Sequence, residues 1–168
     1  GKDAGGAIAG GSNNVIIGYL AGDGCSANNT MTLVGAGAGG AINSDAANGT
    51  ICIGYNSGAS ITTGASNTVV GTNALDAEDT GDRNTAIGYN SLTNVNGADN
   101  NSNTGLGYNS GDVITTGTNN TCIGANTDPS ANDGANQTVV GAGTTGQADN
   151  SVTLGNAAVT AVYMAEDS

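Results

Sequence analysis

One short pattern ending in glycine returns nine times along this chain, and that periodicity constrains the fold more than any other feature. Asn14-Val-Ile-Ile-Gly18, Thr50-Ile-Cys-Ile-Gly54, Asn67-Thr-Val-Val-Gly71, Asn84-Thr-Ala-Ile-Gly88, Asn120-Thr-Cys-Ile-Gly124 and Gln137-Thr-Val-Val-Gly141 are versions of it. The anchoring glycines are Gly18, Gly35, Gly54, Gly71, Gly88, Gly107, Gly124, Gly141 and Gly155, spaced by 17, 19, 17, 17, 19, 17, 17 and 14 residues. A longer period of 53 residues separates Gly18 from Gly71 and Gly71 from Gly124, as duplication of a three-coil block would leave.

Aligning the copies produces columns. The residue before each glycine is always aliphatic: Ile17, Val34, Ile53, Val70, Ile87, Leu106, Ile123, Val140 and Leu154. Two positions earlier stands a β-branched residue: Val15, Thr32, Ile51, Thr68, Thr85, Thr104, Thr121, Thr138 and Val152. Residues two apart share a strand face and β-branched side chains suit a pleated surface, so each coil contributes one short strand. The strands are predicted at about 14–17, 31–34, 50–53, 67–70, 84–87, 103–106, 120–123, 137–140 and 151–154. The two columns are read as pointing inward, with the aliphatic one as structural core. The glycines supply turns of positive φ, and Asn56, Asn73, Asn90, Asn109 and Asn126, two residues on, suit left-handed turn positions.

The intervening column, Ile16, Leu33, Cys52, Val69, Ala86, Gly105, Cys122, Val139 and Thr153, faces the other way and is also largely apolar. A strand apolar on both faces is buried on both. One face closes the chain's own coil and the other needs a partner. Large side chains are scarce, with no Phe, no Trp and five Tyr, and the rest of each coil is mostly small or polar. The expectation is an all-β fold, a β-solenoid of about nine coils of 17–19 residues, completed by two further copies in a parallel homotrimer, intertwined or side by side. Residues 1–11 read as a Gly-rich lead-in, 12–158 as the array and 159–168 as a lead-out to a following domain or cleavage end. The absence of an initiator Met suggests a processed piece or segment of something longer.

The motif Asn84-Thr85-Ala86-Ile87-Gly88-Tyr89-Asn90-Ser91 resembles the head repeats of trimeric autotransporter adhesins, with Asp149-Asn150-Ser151-Val152-Thr153-Leu154-Gly155 the nearest version. It is more similar still to Asn/Thr/Gly-rich repeats in bacteriophage tail-fibre and tailspike shafts. The resemblance covers about Ser12 to Val159, and the long coils favour the phage form over the adhesin head. It implies a rigid trimeric shaft for host attachment, located in a virion or at a cell surface, without enzymatic activity.

The other candidate features carry little chemistry. Fourteen acidic residues against Lys2 and Arg83 give a net charge of −12, so no nucleic-acid partner is expected, because phosphate binding needs clustered Lys and Arg. No apolar run is long enough for membrane insertion. Gly35-Ala36-Gly37-Ala38-Gly39-Gly40 contains a GxGxxG string, but no helix follows it, so it reads as a coil turn. With no His, neither a catalytic set nor a metal or cofactor site is assigned. The acidic group Asp76, Glu78, Asp79 and Asp82 reads as solvated loop charge. Cys25, Cys52 and Cys122 read as small buried apolar residues with no intrachain disulfide. Tyr19, Tyr55, Tyr89 and Tyr108 each follow an anchoring glycine. They are candidate contacts to a host glycan or receptor, or interface residues between chains. Two other functions compete: an ice-binding solenoid, suggested by the Thr column, and a polysaccharide-cleaving tailspike.

Overall fold

The computed structural model describes residues 1–97 and 101–163. It is a β-solenoid. Nine three-residue strands form one parallel sheet in sequence order: β1 (Val15–Ile17), β2 (Thr32–Val34), β3 (Ile51–Ile53), β4 (Thr68–Val70), β5 (Thr85–Ile87), β6 (Thr104–Leu106), β7 (Thr121–Ile123), β8 (Thr138–Val140) and β9 (Val152–Leu154). Register is one-to-one throughout, so Ile17 pairs with Val34, Ile87 with Leu106 and Val140 with Leu154. The only helical element among the described residues is a 3-10 turn at Asp45–Ala47, where a 19-residue coil accommodates its extra length. Residues 1–11, read as a lead-in, already stack on the array. The Gly5 and Ala9 amides donate to the Ala21 and Ser26 carbonyls at 2.9 and 2.8 Å, and Ile8 packs against the core.

Which face points inward differs from the expectation. The intervening column lines the coil's interior, with Leu33, Cys52, Val69, Ala86, Cys122 and Val139 fully buried. The aliphatic column read as core, from Ile17 to Leu154, lies on the outer face of the sheet: Ile17 is 57% exposed and Leu154 50%, while Val34, Val70, Ile87 and Val140 are half-buried. The chain also closes a core of its own. The turns supply Met31, Ile42, Ile61, Leu75, Leu92, Val95 and Ile114, all buried against the strand column. The expectation that three chains must pool strands to make any core therefore fails, because the turns hold more apolar volume than their Asn- and Gly-rich composition suggested.

Two interior columns exchange volume to keep this thin core filled. Four residues past the anchoring glycine stand Gly22, Gly39, Gly58, Leu75, Leu92 and Gly111. Beside the large Leu33 this position has room only for glycine, since a Cβ at Gly39 would fall 2.8 Å from the Leu33 side chain. Where the strand column shrinks to Gly105, Leu92 fills the space, and a Cβ at Gly105 would meet it at 2.9 Å. Leu75 and Leu92 both adopt left-handed backbone, φ 46° and 53°, a conformation costing about 1–3 kcal/mol that burial of a leucine offsets.

Every strand begins one residue later than predicted, and the displaced residue has its own role. Asn14, Asn67, Asn84, Asn103, Asn120 and Gln137 occupy that position, most of them fully buried. Each of Asn67, Asn84, Asn103 and Asn120 accepts at Oδ1 from the backbone amide of its equivalent in the next coil, at 2.8 to 3.0 Å. The Nδ2 groups of Asn67, Asn103 and Asn120 donate to the carbonyls of Gly81, Gly117 and Gly134 at 2.6 to 2.8 Å. The amide thus ties its coil to two points of the next that lie three residues apart, the equivalent backbone amide and the glycine carbonyl just before it. Leaving a buried polar group unpaired costs about 1–3 kcal/mol. Asn103→Ala, which strands the Asn120 amide and the Gly117 carbonyl, is therefore expected to lower stability by about 2–4 kcal/mol. Asn103→Asp, which keeps the acceptor but loses the donor, should show a similar loss at neutral pH. Denaturant unfolding monitored by far-ultraviolet circular dichroism measures both.

Candidate functional site: the outer sheet face

Strand pleating turns two columns outward. The first residues of the strands and the aliphatic column form a strip two side chains wide and nine coils long, holding no charged residue. Six coils present Thr beside Val, Ile or Leu, and five of these, from Thr68 to Val140, are consecutive. The two end strands are apolar at both positions, and Val152 is 67% exposed. The outer columns thus expose a continuous aliphatic stripe where a single chain would ordinarily scatter its apolar surface.

Glycine borders this stripe for two reasons. From Gly18 to Gly141 the φ values run from 128° to 141°, a region essentially closed to side chains. Successive coils also touch there: a Cβ on Gly54 would fall 2.6 Å from the Gly71 carbonyl oxygen. Asn56, Asn73, Asn90, Asn109 and Asn126 follow two residues later in left-handed backbone, with φ between 49° and 52°, as their position predicted. Between them lies the tyrosine row. Tyr19, Tyr55, Tyr89 and Tyr108 are each about half exposed along the border of the strip. The Tyr89 and Tyr108 rings, on adjacent coils, stack with centroids 5.5 Å apart and planes 10° from parallel.

The acidic residues divide. Glu78 is fully buried, which corrects its reading as solvated loop charge. It takes the place held by Ile61 and Val95 in neighbouring coils. One oxygen accepts from the amides of Asp79, Thr80 and Gly81 at 3.0, 3.1 and 2.8 Å, and the other from Asn101 Nδ2. Burial raises its pKa, and the three amides oppose that rise. Asp79 stays exposed, accepting from the Thr62 hydroxyl, while Asp76 and Asp82 are half-buried and accept from Thr93 Oγ1 and the Ala65 amide. These carboxylates tie coil to coil. Among the described residues no group of three or more His, Cys, Asp or Glu is placed to hold a metal ion, and no surface pocket opens.

Cys25, Cys52 and Cys122 are free and buried. Burial pushes Cys25 up to about 11 and Cys52 and Cys122 up to about 12, so the thiols stay protonated. Cys52 and Cys122 face the coil interior, where copies from neighbouring chains cannot meet.

Known proteins provide no guide to this surface: no family model, curated protein or solved structure matches the chain.

One titration is predictable from the geometry. Burial, then the adjacent Asp112 carboxylate, raises Asp128 from 3.8 to about 6. An acid with a raised folded-state pKa binds its proton more tightly in the folded chain. Its contribution is therefore full below the unfolded value of 3.8 and lost as pH rises through about 6. Asp128→Asn should be more stable than the parent at pH above this range and should flatten the stability profile across it. Thermal unfolding across a pH series measures this, and an unchanged profile would place the coupling elsewhere.

Proposed function

We propose that this chain is a structural fibre segment: a rigid shaft of three parallel copies in a phage tail fibre or similar surface appendage, serving host attachment. The observation that carries this reading is the uncharged aliphatic stripe on the outer sheet face, continuous over nine coils and unpaired in the single chain. Water contact with such a stripe is unfavourable by about 25 cal/mol for each Å² of apolar area, and identical copies in parallel register bring equal columns together at equal heights. Three-fold closure draws support from the coil motif, which resembles those of trimeric shafts and adhesin heads. The strip's narrowness, two side chains wide, suits one side of a three-sided prism.

Sedimentation equilibrium tests the reading, with a mass near three times the 16.0 kDa of one chain as the expected result. A folded monomer at micromolar concentration would overturn it. Ile87 lies on the stripe and outside the coil's own core, so Ile87→Asp should abolish assembly while leaving the β-sheet circular dichroism in place. Val69→Asp, inside the coil, should destroy both signals.

A second reading gains from one observation. Thr68, Thr85, Thr104, Thr121 and Thr138 stack on one face whose neighbouring aliphatic column is at least partly exposed in the single chain, and that arrangement suits an ice-binding surface. It requires the same strip to stay free. A monomer that arrests ice recrystallisation would favour this reading over the fibre.

A further inference from the structure

Two rows of residues border the outer strip, one on each side. The row two residues ahead of the strands includes Gly49, Arg83, Ser102 and Asn119 and is exposed or half-buried throughout. The row two residues past the strands holds the tyrosines, with Ala125 and Ala142 further along. In a parallel trimer whose strips face a common axis, the three strands of a layer run around that axis in the same sense. The end of one chain's strand then lies beside the start of the next chain's. We infer that these two rows meet level for level as the seam between neighbouring chains, each tyrosine seating on the next chain's pre-strand row. The seam rests on the fibre reading and fixes which residues the copies present to one another.

Volumes across the seam match best in register. Gly49 and Ser102 stand level with Tyr55 and Tyr108, whereas Asn119 and Asn136 stand level with Ala125 and Ala142. A slip of one coil would set Gly49 against Ala36 or Thr72, leaving a gap, and move Tyr55 onto the larger Thr30 or Ser66. Gly49 weighs most, because its own chain has room for a side chain there. A Cβ would meet nothing closer than Ser66 Oγ at 3.6 Å, an ordinary contact. Its φ of 77° lies near the 46° to 61° at which Asn, Thr, Ser and Arg occupy the same row. A ring arriving from outside accounts for the missing side chain, and Tyr55 of the next chain stands at that height. Arg83 is the only charged residue in either row, and it stands level with Tyr89. Tyr108 stacks on one face of the Tyr89 ring. On the other side the row offers only Thr72, too small to cover a ring, so that face suits the guanidinium of the next chain. A planar guanidinium can bond through its edge and stack through its face, which makes this contact compatible with the engagement of Arg83 within its own chain.

Sedimentation equilibrium and disulfide trapping on the full chain test the fibre and the seam separately. A monomeric parent would overturn both. In a trimeric parent, Asn119→Cys/Ala125→Cys should oxidise to a covalent trimer on a non-reducing denaturing gel, because the seam brings these positions of neighbouring chains within the roughly 7 Å of Cα separation that a disulfide needs. Within one chain the two positions flank the same strand, roughly 15–20 Å apart, so the product reports neighbours alone. The three native thiols are buried and stay out of the reaction. Neither single variant should give the product, and Asn119→Cys/Tyr89→Cys, displaced by two coils, should remain unlinked. Gly49→Asn should leave the circular dichroism intact and weaken trimerisation by at least about tenfold through overpacking against Tyr55. Adding Tyr55→Ala should restore assembly. A trimer that forms no disulfide in the level pair, traps the displaced pair in its place, or assembles unchanged with Gly49→Asn would sink the seam while leaving the fibre standing. Should Gly49→Asn disturb the coil itself, the disulfide pairs alone decide.

Discussion

Each coil rests on the next through parallel backbone hydrogen bonds, and every other feature of the molecule fits under that spacing. A side chain in this array always has its own equivalents directly above and below it. A position that fits one coil must fit beside itself, which favours residues that stack well and excludes those that collide. The glycine column is the most severe case, since successive coils approach so closely at the end of each strand that no Cβ fits. The left-handed positions are the next. Asn13, Asn119 and Asn136 before the strands, and Asn56, Asn73, Asn90, Asn109 and Asn126 after them, hold backbone with positive φ that asparagine tolerates at low cost. The scarcity of large residues thus follows from geometry rather than from weak folding.

The interior follows the same rule with two kinds of solution. Apolar positions trade volume between columns, as Leu92 does with Gly105, because a thin coil has no second layer to absorb a mismatch. Polar positions are buried only where stacking supplies partners. The asparagine ladder works because each amide meets both a backbone amide and, three residues before it, a glycine carbonyl on the adjoining coil. Glu78 shows how far this extends. A carboxylate in an aliphatic column is unfavourable in isolation, yet the turn that follows it directs three amides at one of its oxygens.

Much of this was legible in the sequence. Nine strands, their order, the turn glycines and the left-handed asparagines all follow from spacing, because a repeat makes each position testable nine times over. The assignment of inside and outside did not follow. Alternation of period two says that Ile16 and Ile17 face opposite ways, but both columns are apolar and the pattern alone cannot say which is enclosed. A signal was present in size: the enclosed column varies from Leu33 to Cys52 to Gly105, as expected of positions that must share a fixed volume, whereas the outer column is uniformly large. The buried asparagines were hidden for another reason. Asn67 and Asn84 look like turn residues by type, and only the coil's closure shows that they point inward. Glu78 was misread because a loop in sequence is not always a surface in a solenoid, where turns also line the core.

The charge distribution bears on how the outer face can be used. Copies associating in parallel register place identical residues at identical heights, so any charge on the contact strip would meet its own sign. None of the described charged residues lies in a strand. The described acidic residues instead occupy the turns, most of them at least partly exposed, where water and ions screen repulsion over about 8 Å at physiological ionic strength. In the proposed trimer the chains would carry a large negative charge, and confining it to the turns would keep most of it away from their contact. The same arrangement opposes misalignment only weakly, since a slip of one coil still sets aliphatic against aliphatic. Register must then come from features that recur less often than every coil. The 53-residue period provides one, because its two 19-residue coils lie three coils apart. A partner displaced by one or two coils would not match this longer rhythm, whereas one in register would match it at every height.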